Sequence, residues 1–118
     1  MPASVALSAL AEKDCIAYKD GTPPLKGPVL QELSAHLGHA WKVVDEHHLE
    51  KEFKFKDFKQ ALEFTNRVGA LAESQDHHPD ILLTYGKVGL TLSTHSVGGL
   101  SENDFILAAK VELLARPM

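Results

Sequence analysis

From Leu49 the side chains alternate, with Leu49, Lys51, Phe53 and Phe55 on one side and Glu50, Glu52, Lys54 and Lys56 on the other. Immediately afterwards the period changes. Phe58, Ala61, Leu62, Thr65, Val68 and Ala72 recur at helical spacing, with Phe64 and Leu71 widening the stripe. A period of two marks a strand with one apolar face, and a period near 3.6 marks an amphipathic helix. Asp57 stands at the junction, three residues before Gln60, as a capping-box-like start for a helix that should end near Gln75. A half-buried strand running straight into a long one-sided helix needs a layered fold, with the helix lying over the apolar face of a sheet.

The strand-strand-helix order occurs twice. "AWKVVDE" reads as a strand ahead of Leu49. After Pro79, "DILLTYGKVGLTLSTH" reads as a hairpin turning at Gly86 and Lys87, with glycine supplying the positive φ of a type II′ turn. Ser101 and Asp104 form a second capping pattern, opening a helix through Ile106, Leu107, Ala109, Lys110, Leu113 and Leu114. Upstream, "GPVLQELSAHLG" has Pro28 at a helix start, Leu30, Leu33 and Leu37 on one face and Gly38 as a stop. Residues 1–27 are loop-rich, with a short helix expected from Val5 to Lys13. The expectation is one α+β domain over residues 1–118, ordered α-β-β-α-β-β-α. Its four-stranded antiparallel sheet carries the helices on one face. An open edge on so small a sheet predicts a homo-oligomer.

Composition narrows the function classes. A net charge of −4 offers no basic footprint for phosphate backbones, so direct nucleic-acid binding is not expected. Apolar runs are only a few residues long, which argues against a membrane span. Met1 to Lys13 lacks the basic start and apolar stretch of a secretory signal, so the expected location is the cytosol. The single cysteine, Cys15, cannot form an internal disulfide.

The chemistry concentrates in "ESQDHHPD", Glu73 to Asp80. Helical residues four apart share a face, which predicts that Glu73 holds the His77 imidazole. Pro79 drives His78 out of the helical region, so the two rings need not diverge as in a regular helix. Imidazoles titrate near neutrality and can serve as acid and base in one turnover. His95 is expected at the end of the last strand, though by parity it belongs to the polar face unless a bulge re-aims it. Asp104 could complete a dyad with it, and also has a structural task as a cap. A zinc site from His77, His78, His95 and Asp104 has suitable ligand types, but neighbouring histidines rarely both reach one tetrahedral ion. A solvated helix end is the plainer account of the doublet taken alone. His36 with His39, and His47 with His48 in a turn, read as surface residues. Trp41 reads as a core residue that could also stack on a flat heteroaromatic ligand.

The segment "ESQDHHPDILLTYGKVGLTLSTHSVGGLSEND", Glu73 to Asp104, resembles the signature of the pterin-4a-carbinolamine dehydratases. The likeness extends over about Leu25 to Leu114, including "FKFKDFKQALEFTNRVGALAE" and Trp41. "CIAYKDGTPPL" resembles the N-terminal extension of microbial members, with Tyr18 near the place where they often have a second cysteine. The resemblance implies the same α-β-β-α-β-β-α fold, assembled as a homodimer or homotetramer. It implies loss of water from 4a-hydroxytetrahydrobiopterin to quinonoid dihydropterin, recycling the cofactor of aromatic amino-acid hydroxylases. No metal or cofactor of the enzyme's own is implied. By the same resemblance, His77, His78 and His95 surround the carbinol carbon, with Glu73 orienting His77 and Asp104 orienting His95. His77 and His95 handle protons while His78 binds the ring. Asp76, Pro79, Ser93, Thr94 and Ser96 are expected beside the pterin, with Trp41 a further contact. Vertebrate members also act as dimerisation cofactors of a homeodomain transcription factor, which leaves a binding module as the alternative.

Overall fold

A computed structural model of the chain describes residues 2–38 and 41–115, with side chains from residue 7 onward. The order is α1 (Pro2–Ala11), α2 (Gly27–His36), β1 (Lys42–Val44), β2 (His48–Lys54), α3 (Phe58–Gln75), β3 (Asp80–Thr84), β4 (Lys87–Leu92) and α4 (Glu102–Ala115), with a short 3₁₀ turn at His95–Val97. His39 lies outside the described residues. The strands form one antiparallel sheet in the order β1-β2-β4-β3.

Register places the apolar residues in rows on the helix-facing side. Leu49 pairs with Leu92, Phe53 with Val88 and Leu83 with Val88. Val88, Leu90 and Leu92 are buried, and α3 and α4 close over them with Ala61, Phe64, Val68, Phe105 and Leu107. The remaining helices pack through α4, which contacts α1, α2 and α3. Each fully buried Leu or Phe here is worth roughly 1.5–3 kcal/mol relative to exposure. The opposite sheet face is open, with Leu82 exposed. A groove of about 520 Å³ runs across it between Lys42, Glu50, Glu52, Asp80 and Thr91.

Lys51 falls among the apolar residues of β2 and is accommodated by pairing. Its ammonium meets the Glu112 carboxylate of α4 and lies 4.5 Å from the centroid of the Phe53 ring. Trp41 donates from Nε1 to the same Glu112 oxygen at 3.0 Å and packs edge-on against Phe53.

The caps behave as expected from sequence. Asp57 accepts from the Gln60 N–H at 2.9 Å, and α3 ends at Gln75. Three details differ. The hairpin turns at Tyr85 and Gly86, because Thr84 pairs with Lys87, and neither turn residue has a positive φ, so the turn is not type II′. The buried stripe of α3 is Ala61, Phe64, Val68 and Ala72, while Phe58 and Leu62 face outward because the helix is rotated toward the Phe64 side. The first strand contracts to three residues, followed by a tight turn in which Asp45 and Glu46 both take left-handed backbone. His47 lies in that turn and His48 opens β2.

Candidate active site

The site forms where α3 stops. Asp76 adopts a left-handed conformation (φ 52°, ψ 40°), and the His77 N–H closes back onto the Ala72 carbonyl at 3.2 Å, a Schellman-type ending. Helical geometry therefore ends one residue before His77. The four-residue spacing from Glu73 no longer applies, and the expected Glu73–His77 pair does not form. Instead the His77 ring turns inward, and its Nε2 lies 2.6 Å from Asp104 Oδ1. His78, outside the helix, comes back alongside Glu73, with Nε2 2.7 Å from Oε1. Adjacent histidines thus use different carboxylates.

The two pairs differ in burial. Asp104 is fully buried and the His77 side chain is 10% exposed, whereas His78 and Glu73 are 56% and 78% exposed. An exposed pair of this kind contributes little to stability, while a buried, hydrogen-bonded one is costly to break.

Asp104 is held from three directions. Oδ2 accepts the Ser101 N–H at 2.9 Å, which is the reach-back half of the predicted capping box, and also the Thr94 hydroxyl at 2.8 Å. Thr94 Oγ1 lies 2.7 Å from Ser101 Oγ, and Ser101 Oγ accepts the Asn103 N–H at 3.2 Å. Proton accounting follows from these contacts. Because the Thr94 proton points to Asp104, the Ser101 proton must point to Thr94. If Asp104 is a carboxylate, both its oxygens only accept; the contact then requires the His77 proton on Nε2, and a neutral ring in that tautomer has Nδ1 free to accept.

His95 is placed differently from expectation. Strand β4 ends at Leu92, and Thr94 forms an isolated bridge with Gly99, so strand parity does not reach His95. It opens the 3₁₀ turn with its side chain exposed. The expected Asp104–His95 pair is absent, because Asp104 faces the buried side of α4 and both its oxygens are engaged by other donors. His95 is nonetheless next to Thr94, which does touch Asp104. Ser93 and Ser96 flank it, half-buried. Trp41 is buried beside Phe53 and Glu112, at the β1 edge of the sheet, and is not brought to the histidines. Two grooves, on the open sheet face and between α2 and the start of α4, are not lined by the histidines, though Ser101 borders the second. Among the described residues no group of three or more His, Cys, Asp and Glu is arranged to hold a metal ion.

The sequence reading places Thr94 beside ligand and Ser101 at the cap of α4, but does not join them in a relay. A capping carboxylate that uses Oδ2 on the helix leaves Oδ1 for a further partner, a signal that bears on His77 and not on Thr94.

The profile of the pterin 4 alpha carbinolamine dehydratase family matches residues 23–114. A protein of Alkaliphilus metalliredigens bearing the name pterin-4-alpha-carbinolamine dehydratase is 54% identical over 106 residues, which is 90% of this chain and 96% of that one. A protein of the same name from Rubrobacter xylanophilus is 53% identical over 108 residues, covering 92% of this chain and all of its own. Among solved structures, a Brucella melitensis protein described as a transcriptional coactivator/pterin dehydratase is 35% identical, with a TM-score of 0.73, covering 79% of this chain and 99% of its own. A pterin dehydratase-like protein identified as a RuBisCO assembly factor in the alpha-carboxysome is 29% identical, with a TM-score of 0.57, covering 68% of this chain and 94% of its own. With the histidine doublet, its two carboxylates and the strand-end turn on the matched segment, the chain belongs to the pterin 4 alpha carbinolamine dehydratase family.

Proposed function

We propose that this protein eliminates water from a pterin-4a-carbinolamine, 4a-hydroxytetrahydrobiopterin or a close analogue, to give quinonoid dihydropterin. In the elimination the C4a–O bond breaks, the departing oxygen takes up a proton and leaves as water, and a proton is lost from the pterin ring system. Two proton transfers and no nucleophile are needed, which is work for imidazoles. Positioned acid–base groups of this kind typically contribute about 10²- to 10⁴-fold.

The observation that carries this reading is the pair of differently held imidazoles at the end of α3. His77 has Nε2 committed to buried Asp104, and His78 meets Glu73 in solvent. In the proposed mechanism His77 exchanges a proton at Nδ1 and His95 acts from the other side of the carbinol carbon. His78 binds and polarises the ring, while Asp76, Pro79, Ser93, Thr94 and Ser96 line the pterin. Asp104 and Glu73 are positioning residues, acting through His77 and His78. The physiological setting we propose is recycling of a hydroxylase's tetrahydropterin in the cytosol, by a homodimer or homotetramer.

The test is to generate the carbinolamine with a hydroxylase or an oxidant and follow quinonoid dihydropterin by ultraviolet absorbance. Acceleration over the buffer rate, lost on His77→Ala or His95→Ala, is expected. No acceleration by the wild-type protein refutes the proposal. A second reading, a protein-binding module without required catalysis, draws on the coactivator and assembly-factor descriptions of the two structural relatives. It predicts that both alanine variants keep full biological function.

A further inference from the structure

The segment from Asp14 to Leu25 crosses the molecule without forming a helix or strand, and residues 14–22 precede the stretch matched by the family profile. Its hydrogen bonds are not distributed at random. Gln75 Oε1 accepts the Cys15 N–H at 2.8 Å, and Gln75 Nε2 donates to Asp14 Oδ1 at 3.2 Å. The Asn103 amide grips Ile16 from both sides, accepting its N–H at 2.9 Å and donating to its carbonyl at 2.6 Å. Further along, the Gly21 N–H donates to the Ser96 carbonyl at 2.9 Å and the Leu25 N–H to the Leu100 carbonyl at 2.8 Å.

Each anchor lies within two residues of a site group. Gln75 is the last residue of α3, two before His77. Asn103 precedes Asp104 in the first turn of α4, Ser96 follows His95, and Leu100 precedes Ser101. Three separate chain segments carry the candidate site, and this one crossing segment is bonded to all three. The two side-chain anchors, Gln75 and Asn103, hold backbone groups of the strap as a neighbouring strand would, and Asn103 is 4% exposed. Cys15 and Leu25 of the strap pack against the core, while Ile16 between the two clasps is 63% exposed and contributes chiefly its backbone.

We infer that Asp14–Leu25 is a strap that positions the His77–Asp104 pair and the His95 turn, with Gln75 and Asn103 as its side-chain clasps. It clamps the end of α3 against the start of α4, and so holds the 2.6 Å His77–Asp104 contact that bridges them. Geometry is the quantity at stake, because small displacements of a catalytic group can cost about 10²-fold in rate. The kinetic consequence rests on the dehydratase reading; the structural claim does not.

The test uses the full chain with Gln75→Leu, Asn103→Leu and the double variant. Asn103→Asp serves as an intermediate, keeping the acceptor for the Ile16 N–H and losing the donor to the Ile16 carbonyl, and Gln75→Leu, at the less buried clasp, decides the question where buried Asn103 does not tolerate replacement. Cys15, on the strap, reports release through its rate of reaction with a disulfide reagent. The His77 Nε2 proton reports the site through its exchange with water by NMR, with no reaction required. Expected are at least tenfold faster Cys15 labelling and at least tenfold faster His77 proton exchange in Asn103→Leu and the double variant, with Asn103→Asp between. In the dehydration assay kcat falls about tenfold or more with KM within about twofold of wild type. Faster labelling with His77 exchange unchanged overturns the inference, as does labelling that stays at the wild-type rate in the double variant. A wild-type protein inactive on carbinolamine refutes the proposed function instead, and leaves the exchange comparison to decide this one.

Discussion

Replacing Asp104 by Asn changes one atom and should invert the protonation of His77. The Ser101 N–H cannot turn away, and with the Thr94 hydroxyl it occupies Oδ2 at 2.9 and 2.8 Å. The introduced amide must therefore keep its oxygen on that side and present its NH₂ to His77. A ring that donated from Nε2 to Oδ1 at 2.6 Å must then accept there, so its proton moves to Nδ1. The stability cost follows from three hydrogen bonds changing from charged to neutral, a loss of about 1 kcal/mol each. Relief from burying a carboxylate offsets part of that sum. The net expectation is about 2 kcal/mol, read as a lower urea midpoint at unchanged m. Nitrogen chemical shifts of the His77 ring identify the protonated position, and dehydration should fall by about 10²-fold or more, because the ring presents the wrong tautomer. A variant in which Nε2 stays protonated, or in which the tautomer flips and the rate is retained, would refute the reasoning.

Glu73→Gln tests the exposed pair: stability should change by less than about 0.5 kcal/mol in the same urea titration, far less than for Asp104→Asn. Burial pushes the Cys15 thiol up to about 11, against 9.0 for an ordinary thiol, opposed by Lys110 and assisted by Asp104 and Asp14. At pH 8 its labelling should be about 100-fold slower than that of an unperturbed thiol, as measured by absorbance with a disulfide reagent. The same shift makes the folded state hold its proton longer than the unfolded chain, so Cys15 contributes a fall in stability between about pH 9 and pH 11 and none below, a slope that Cys15→Ser should remove. Glu112→Gln deprives the half-buried Lys51 ammonium of its counter-charge while sparing the histidines. It should cost about 1–3 kcal/mol in thermal unfolding, with dehydration kinetics unchanged.

Local grammar was legible where one physical rule acted alone. The Asp57–Gln60 and Ser101–Asp104 caps, the end of α3 and the alternation of β2 all follow from backbone donors and a buried face, and the structure contains each of them. The histidine doublet, His95, Glu73 and Asp104 were also identifiable as chemistry-bearing residues. Which carboxylate serves which imidazole was not. That assignment depends on Asp76 entering the left-handed region, which ends helical spacing at one residue, and on β4 stopping at Leu92, which ends strand parity before His95. Both are terminations, and periodicity describes only what lies inside an element. Gln75 and Asn103 carried no signal at all, since their partners are backbone groups 60 and 87 residues away in the chain.

The double duty of Asp104 couples two events usually thought of as separate. The oxygen that starts α4 and the oxygen that sets the His77 ring belong to one carboxylate, so a frayed α4 and an aligned imidazole cannot coexist. Inactivation would then precede global melting, because opening one helical turn suffices. A heat-stressed population would contain folded, silent molecules that recover on cooling without refolding. On the proposed mechanism, activity would then report whether a given copy has finished assembling its last helix.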